Sequence, residues 1–170
     1  MSILIQPSAA AGFASLMGQI KAVGDMLSIP EGQINIGGNG KGFLIDPVAS
    51  FNPAQLSNRD DSFSVLTLGD DIYIYACATK TGFAKLVCSK NATYPTGYTA
   101  LNSRKIGGFH YGRARPISKR FDASYVPDVT IVPNSVWDLF HRPKSDPTGM
   151  VEVIPGALWV DIYLNSEGSG

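Results

Sequence analysis

Residues 71–90 read DIYIYACATKTGFAKLVCSK, and their pattern decides the fold. In the first half Ile72 and Ile74 alternate with Tyr73 and Tyr75, so a strand places the isoleucines on one face and the tyrosines on the other. Both faces are apolar enough to require cover. The Thr81-Gly82 pair reads as a hairpin turn, and FAKLVCSK returns as the partner strand. On a tight hairpin Cys77 and Cys88 share one face as diagonal neighbours; buried free thiols are expected there rather than a disulfide.

The same signature recurs outward from this hairpin. FSVLTL (63–68), KIGGFHYGRA (105–114), VTIVP (129–133) and ALWVDIYLN (157–165) carry β-branched or aromatic residues and end in turn signals. A mainly β fold, a β-sandwich of two sheets, covers both faces of such strands. PNSVWDLFHRP (133–143) fits either a short helical turn or a strand. Upstream, EGQINIGGNGKGFLID (31–46) sets two apolar runs around a glycine-rich turn and reads as a small hairpin. Its GGNGKG is not a phosphate loop, because Lys41 is followed by Gly42 and a strand instead of Ser or Thr and a helix.

Residues 8–28 are predicted as an N-terminal helix, with Ser8 as its cap. Phe13, Leu16, Ile20, Val23 and Leu27 recur at alternating spacings of three and four, the seam of a coiled coil. Gly12, Gly18 and Gly24 weaken such a helix, so it must borrow stability from its own domain, from sister chains or from a docking partner. Pro30 ends it. The expected organisation is an N-terminal helix and hairpin over 1–48 for trimerisation and attachment, a β-sandwich domain over 49–165, and a linker-like tail at 166–170.

Composition narrows the function. Across 170 residues there are 14 basic and 14 acidic side chains, so no net field favours nucleic acid or an anionic membrane. Charged residues are 16% of the chain, against 18 glycines and 11 prolines, which suggests short strands and surface buried against a partner. No apolar stretch reaches the ~20 residues of a membrane span, and no basic region opens a signal peptide. His110 and His141 are isolated; no G-x-S-x-G turn, paired-histidine metal motif or calcium loop accompanies them or the pairs Asp60-Asp61 and Asp70-Asp71, which read as turns. No catalytic role, metal or cofactor is expected. RKIGGFHYGRARPISKR (104–120) interleaves basic and aromatic residues, the strongest signal for single-stranded nucleic acid, yet lacks an RNA-binding motif; contact with acidic groups on a neighbouring chain is the competing reading.

From Gly69 to Leu164 the blocks GDDIYIYAC, YPTGYTALNSRKIGGFHYG, SVWDLFHRP, DPTGM and GALWVDIYL stand in an order that resembles the phage major tropism determinants, receptor-binding proteins at tail-fibre tips. The resemblance implies a homotrimer with a central β-sandwich and a C-terminal lectin-type domain that contacts the host. It makes Tyr98, Gly107, Gly108, Phe109, His110, Tyr111, Trp137, Asp138, Trp159, Asp161 and Tyr163 scaffold residues rather than ligand residues. Gly107-Gly108 suits a bulge or a close backbone approach. Residues 1–46 resemble the family less, and NSEGSG (165–170) stands where the lectin-type domain is expected to begin. The expected function is a trimeric, non-enzymatic module in the phage tail or baseplate, assembled in the host cytoplasm, that attaches to the virion and positions a host-binding tip. Two alternatives are a sandwich that itself binds a surface receptor or glycan through Tyr94, Tyr98, Phe109 and Tyr111, and a head-fibre decoration protein.

Overall fold

The computed structural model describes residues 7–163. Thirteen short strands follow one another: β1 (Ala14–Leu16), β2 (Lys21–Val23), β3 (Met26–Ile29), β4 (Gly32–Asn35), β5 (Gly42–Ile45), β6 (Val48–Phe51), β7 (Asp70–Cys77), β8 (Lys85–Ser89), β9 (Ser103–Arg113), β10 (Val129–Ile131), β11 (Trp137–Asp138), β12 (Met150–Ile154) and β13 (Leu158–Asp161). The helical segments among the described residues are single 3-10 turns at Pro7–Ala9, Leu56–Asn58, Ile117–Lys119 and Pro133–Ser135.

The largest sheet runs β10-β9-β7-β8, with β11 also paired to β9. Its Ile72, Ile74, Ala76, Leu86, Cys88, Ile106 and Phe109 face two smaller sheets, β1-β4-β5 and β2-β3-β6, which contribute Leu27, Ile29, Ile34, Ile45 and Phe51, joined by Ile20 just before β2. This sandwich-like core draws on residues from both sides of position 48. The opposite face of the large sheet carries Tyr75, Cys77 and Val87, with Tyr73 and Tyr98 packed on them, and Tyr75 donates its hydroxyl to the Asn91 carbonyl at 2.6 Å. The alternation of DIYIYA thus predicts its two covered faces.

The expected helix over 8–28 is absent; the segment forms β1, β2 and most of β3. Its glycines are turn points. Gly12 and Gly24 sit at φ +77° and +60°, conformations that cost little only for glycine, and Val23 pairs with Met26 across a two-residue turn. Three-and-four spacing of apolar residues therefore marks inward positions on successive short strands. Ile20 and Leu27 are buried in the chain's own core, Phe13 and Leu16 are partly buried, and Val23 is exposed, so the five do not form one face. FSVLTL is also not a strand. Phe63 alone of its large side chains is buried, while an Asp70 carboxylate oxygen accepts from Thr67 N–H at 2.7 Å and curls the segment into a turn.

The glycine-rich hairpin is present. β4 and β5 pair antiparallel, and Asn35 organises the loop between them by donating to the carbonyls of Gly38 and Lys41 at 2.6 and 3.2 Å. PNSVWDLFHRP holds a 3-10 turn followed by β11.

Loops are closed by buried polar groups in place of helices. The Asp60 carboxylate accepts from Ser62 N–H at 3.0 Å, from the Ser62 hydroxyl, from Ser89 Oγ at 2.7 Å and from Thr96 N–H at 2.6 Å. Burial pushes its pKa up, but these donors outweigh burial and hold it below the ordinary 3.8. Asp138, also buried, accepts from Ile20 N–H at 3.0 Å and from the N–H groups of Phe140 and His141 at 2.8 and 2.9 Å.

Cys77 and Cys88 do not share a face. Cys77 pairs with Lys85 and Cys88 with Ile74, so the first points to the tyrosine side and the second into the main core. The wider loop between β7 and β8 sets a register that a tight turn at Thr81-Gly82 misjudges. Both thiols are free, and burial pushes Cys77 up to about 12 and Cys88 higher still. Each is expected to react with an exposed-thiol reagent far more slowly than a free thiol until denaturant is added; rapid modification of the native chain, or a mass showing a disulfide, contradicts the assignment.

At Gly108 an added Cβ would lie 2.8 Å from both the Ile72 carbonyl oxygen and the Trp137 ring. Gly108→Ala is expected to cost about 1–3 kcal/mol through overpacking, measured by chemical denaturation. For Asp60, whose folded pKa is depressed, the stabilisation is complete above 3.8 and fades as pH falls through the lower folded value. Asp60→Asn should flatten the acid limb of the stability profile; a variant with the wild-type slope below pH 4 refutes the assignment (about 4 being the ordinary carboxylate value).

Candidate functional site

β9 organises the residues that the sequence singles out. A register shift between Ile74 and Tyr75 leaves Ile106 as the extra residue opposite β7, the bulge anticipated beside Gly107. β11 lies against β9 with Trp137 opposite Gly108 and Asp138 opposite Gly107. At Gly107 a Cβ would lie 2.6 Å from the Trp137 carbonyl oxygen, so both glycines are needed for this approach. Phe109 fills the core, Tyr111 packs at its margin and Tyr98 caps the opposite face.

The remaining motif residues meet on the hairpin β12–β13. Its strands pair Met150 with Asp161, Val151 with Val160 and Glu152 with Trp159. By alternation, Met150, Glu152, Trp159 and Asp161 share one face, and Val151, Leu158 and Val160 the other. The first face is pinned to the sandwich by both histidines. His110, buried, donates from Nδ1 to Asp71 at 2.9 Å, which leaves Nε2 to accept from Tyr163 O–H at 3.1 Å. His141 donates from Nε2 to Glu152 at 2.9 Å and accepts from Gln19 Nε2 at 2.9 Å, with its ring edge-on to Trp159 at 5.8 Å between centroids. Tyr73 adds a hydroxyl contact to Thr148 at 3.2 Å.

These contacts do not assemble a nucleophile. Ser135, bonded to His110, accepts from the His110 backbone N–H at 2.9 Å and donates to the Val132 carbonyl at 2.7 Å rather than to the ring nitrogens. Among the described residues no group of three or more His, Cys, Asp or Glu is placed to hold a metal ion.

Most of the basic stretch is engaged within the chain, Arg113 being exposed. Arg104 donates to the carbonyls of Phe13, Asn35 and Gly12 at 2.7, 3.0 and 3.0 Å, tying the large sheet to the N-terminal layer. Lys105 lies 4.3 Å from the centroid of Tyr73, Arg115 donates to the carbonyls of Lys119, Asp122 and Tyr125, and Lys119 pairs with Asp122 at 3.2 Å. Sequence reasoning missed Gln19 and Glu152, whose partners are remote in sequence; it read Asp60 as a turn residue, which its bond to Ser62 N–H bears out, and Arg104 only as part of a basic stretch, without their distant partners. Asp138 was visible only as part of a motif.

Part of what lies uncovered is apolar. On the hairpin Val153, Ile154, Leu158 and Val160 are 38–52% exposed, and in the segment after β9 Ile117, Phe121 and Val126 are more exposed still. The 117–126 side chains lie among Arg113, Arg115, Lys119 and Arg120, whereas the hairpin patch is aliphatic and better suited to bury against another chain.

Comparison with known proteins agrees with this layout. The family model described as Mtd second domain matches residues 22–138. A tail fiber receptor-binding protein of Bordetella phage BPP-1 is 38% identical over 100 residues, which cover 58% of this chain and 24% of that protein. Among solved structures, the Major Tropism Determinant U1 and P3c variants are each 30% identical, with TM-scores of 0.59 and 0.57, over 95% of this chain and 37% of theirs. The chain thus spans well under half the length of these relatives. A match through most of the sandwich, on an architecture shared with solved relatives, shows that the chain belongs to the Mtd second domain family of phage receptor-binding proteins.

Proposed function

We propose that this chain is a non-enzymatic structural module of a phage tail-fibre receptor-binding apparatus, acting as a homotrimer that joins the virion and positions a host-binding element. The observation that carries the proposal is the hairpin β12–β13. One face is fastened to the sandwich by His110 and His141, while the other presents aliphatic side chains outward. An isolated two-stranded ribbon is marginal in water and gains from cover. Covering the exposed halves of Ile154, Leu158 and Val160 contributes about 2–4 kcal/mol per chain before ordering costs. Membership of a family whose relatives are tail-fibre receptor-binding proteins supports the same role.

In this proposal the trimer contact moves from the helical seam to the hairpin and the 117–126 segment. Attachment to the tail stays with the N-terminal layer, residues 1–48, where Met17 and Val23 remain exposed. That layer cannot be removed as an independent anchor, because β1, β2 and β3 lie within residues 1–30, a stretch that supplies Ile20, Leu27 and Ile29 to the core.

Light scattering at micromolar concentration is expected to give three times the 18.2 kDa chain mass. Leu158→Asp with Val160→Asp should lower the mass to one chain without changing the β-type circular dichroism. A monomeric wild-type chain, or a trimer indifferent to the double substitution, overturns the hairpin interface.

A further inference from the structure

Between the hairpin and the loop that follows β11 lies a groove of about 510 Å3, lined by Phe140, His141, Arg142, Lys144, Glu152 and Trp159 among others. We propose that this groove is a binding site for an acidic saccharide, a sugar ring bearing a carboxylate or phosphate.

The wall of the groove is preorganised. His141 is held at both ring nitrogens, by Gln19 and Glu152, and its edge-on contact fixes the plane of Trp159. The indole of Trp159 is only partly covered. Its N–H has no acceptor among the described residues, and no buried side-chain polar atom there is left unpaired, so it opens to solvent. Phe140, 62% exposed, extends the apolar surface. A rigid aromatic plane with a free donor at its edge suits the apolar face and hydroxyls of a pyranose.

The charge at the rim selects an anion. Arg142 and Lys144 are exposed, and among the described residues neither has a carboxylate in ion-pair contact. Arg142 shares its field with Asp146 and Lys105 rather than being neutralised by one partner. The acid that lines the groove, Glu152, is held to the wall through both oxygens, one accepting from His141 and one from Gly156 N–H at 2.6 Å. An incoming carboxylate or phosphate therefore meets two available cations, of which Arg142 can bind it through two parallel hydrogen bonds.

The aromatic residues considered from sequence are less suited to this task. Tyr98 packs over Cys77 and Val87, Phe109 is in the core and Tyr111 packs against it, which leaves Tyr94 alone exposed.

The full chain can be titrated with a galacturonic acid trimer, a galactose trimer and glucose 6-phosphate, followed by calorimetry and tryptophan fluorescence. Trp137 is buried but borders Arg142 and Lys144, so a ligand-induced change that disappears in Trp159→Phe is the one that reports Trp159. Saturable binding of at least one acidic probe is expected, about tenfold or more tighter than the neutral trimer and weakening as salt rises. The tighter acidic probe identifies the anionic group. Arg142→Ala with Lys144→Ala, both exposed and expected to fold, should weaken acidic binding about tenfold, as should Trp159→Phe by a smaller factor. Binding of the neutral trimer as tightly as the acidic one, no saturation by either acidic probe up to about 50 mM, or a double variant that binds unchanged each overturns the site. The outcome is separate from the assembly measurement, since mass and saccharide binding are read independently.

Discussion

The approach of β11 to β9 is the constraint on which much of the molecule depends. Two glycines in succession leave no Cβ atoms where Trp137 and its carbonyl oxygen must lie, within 3 Å of the positions those atoms would take. That proximity seats Trp137 against the large sheet and puts Asp138 where it can accept from Ile20 of the N-terminal layer. It also fixes the start of the loop that carries His141. One local fact about backbone space therefore connects the first strands, the central sheet and the last hairpin.

Polar hubs do in this chain what helices do in many folds. A long helix satisfies its own backbone, whereas short strands and wide loops leave amides and carbonyls that must find partners. Asp60 collects donors from Ser62, Ser89 and Thr96, Asp138 from three more positions, and Arg104 answers three carbonyls. The described residues contain no buried, unpaired side-chain nitrogen or oxygen, which fits loops held by specific contacts rather than by apolar packing alone. Asp60 keeps its charge inside the protein because several dipoles surround its carboxylate.

Much of the sheet was legible in the sequence. The two-residue alternation in DIYIYA gave both faces of β7, and the glycine-rich turn gave the β4–β5 hairpin, because each rests on local backbone geometry. The N-terminal layer was misread because inward positions on successive three- and four-residue strands fall at the same spacing as a helical seam. Gly12 and Gly24 carried the contrary signal, since positive φ breaks a helix where it turns a hairpin. The face assignment of Cys88 failed for another reason. Loop length sets strand register, and a one-residue change moves every side chain to the other side. The hubs were least legible. Nothing near Asp138 in sequence points to Ile20, and nothing near His141 points to Gln19. The groove depends on these long-range partners, so its residues emerged only from the fold.

The fastening of β12–β13 has a consequence for how the chain breathes. β7 has hydrogen-bonded neighbours on both sides and faces the main core, so its amides are released to exchange with solvent only when the sandwich as a whole opens. β12–β13 is a two-stranded unit held by a short set of side-chain contacts through His110, His141 and Tyr73. In a lone chain this ribbon forms its own low-energy opening unit, able to lift while the sandwich stays folded.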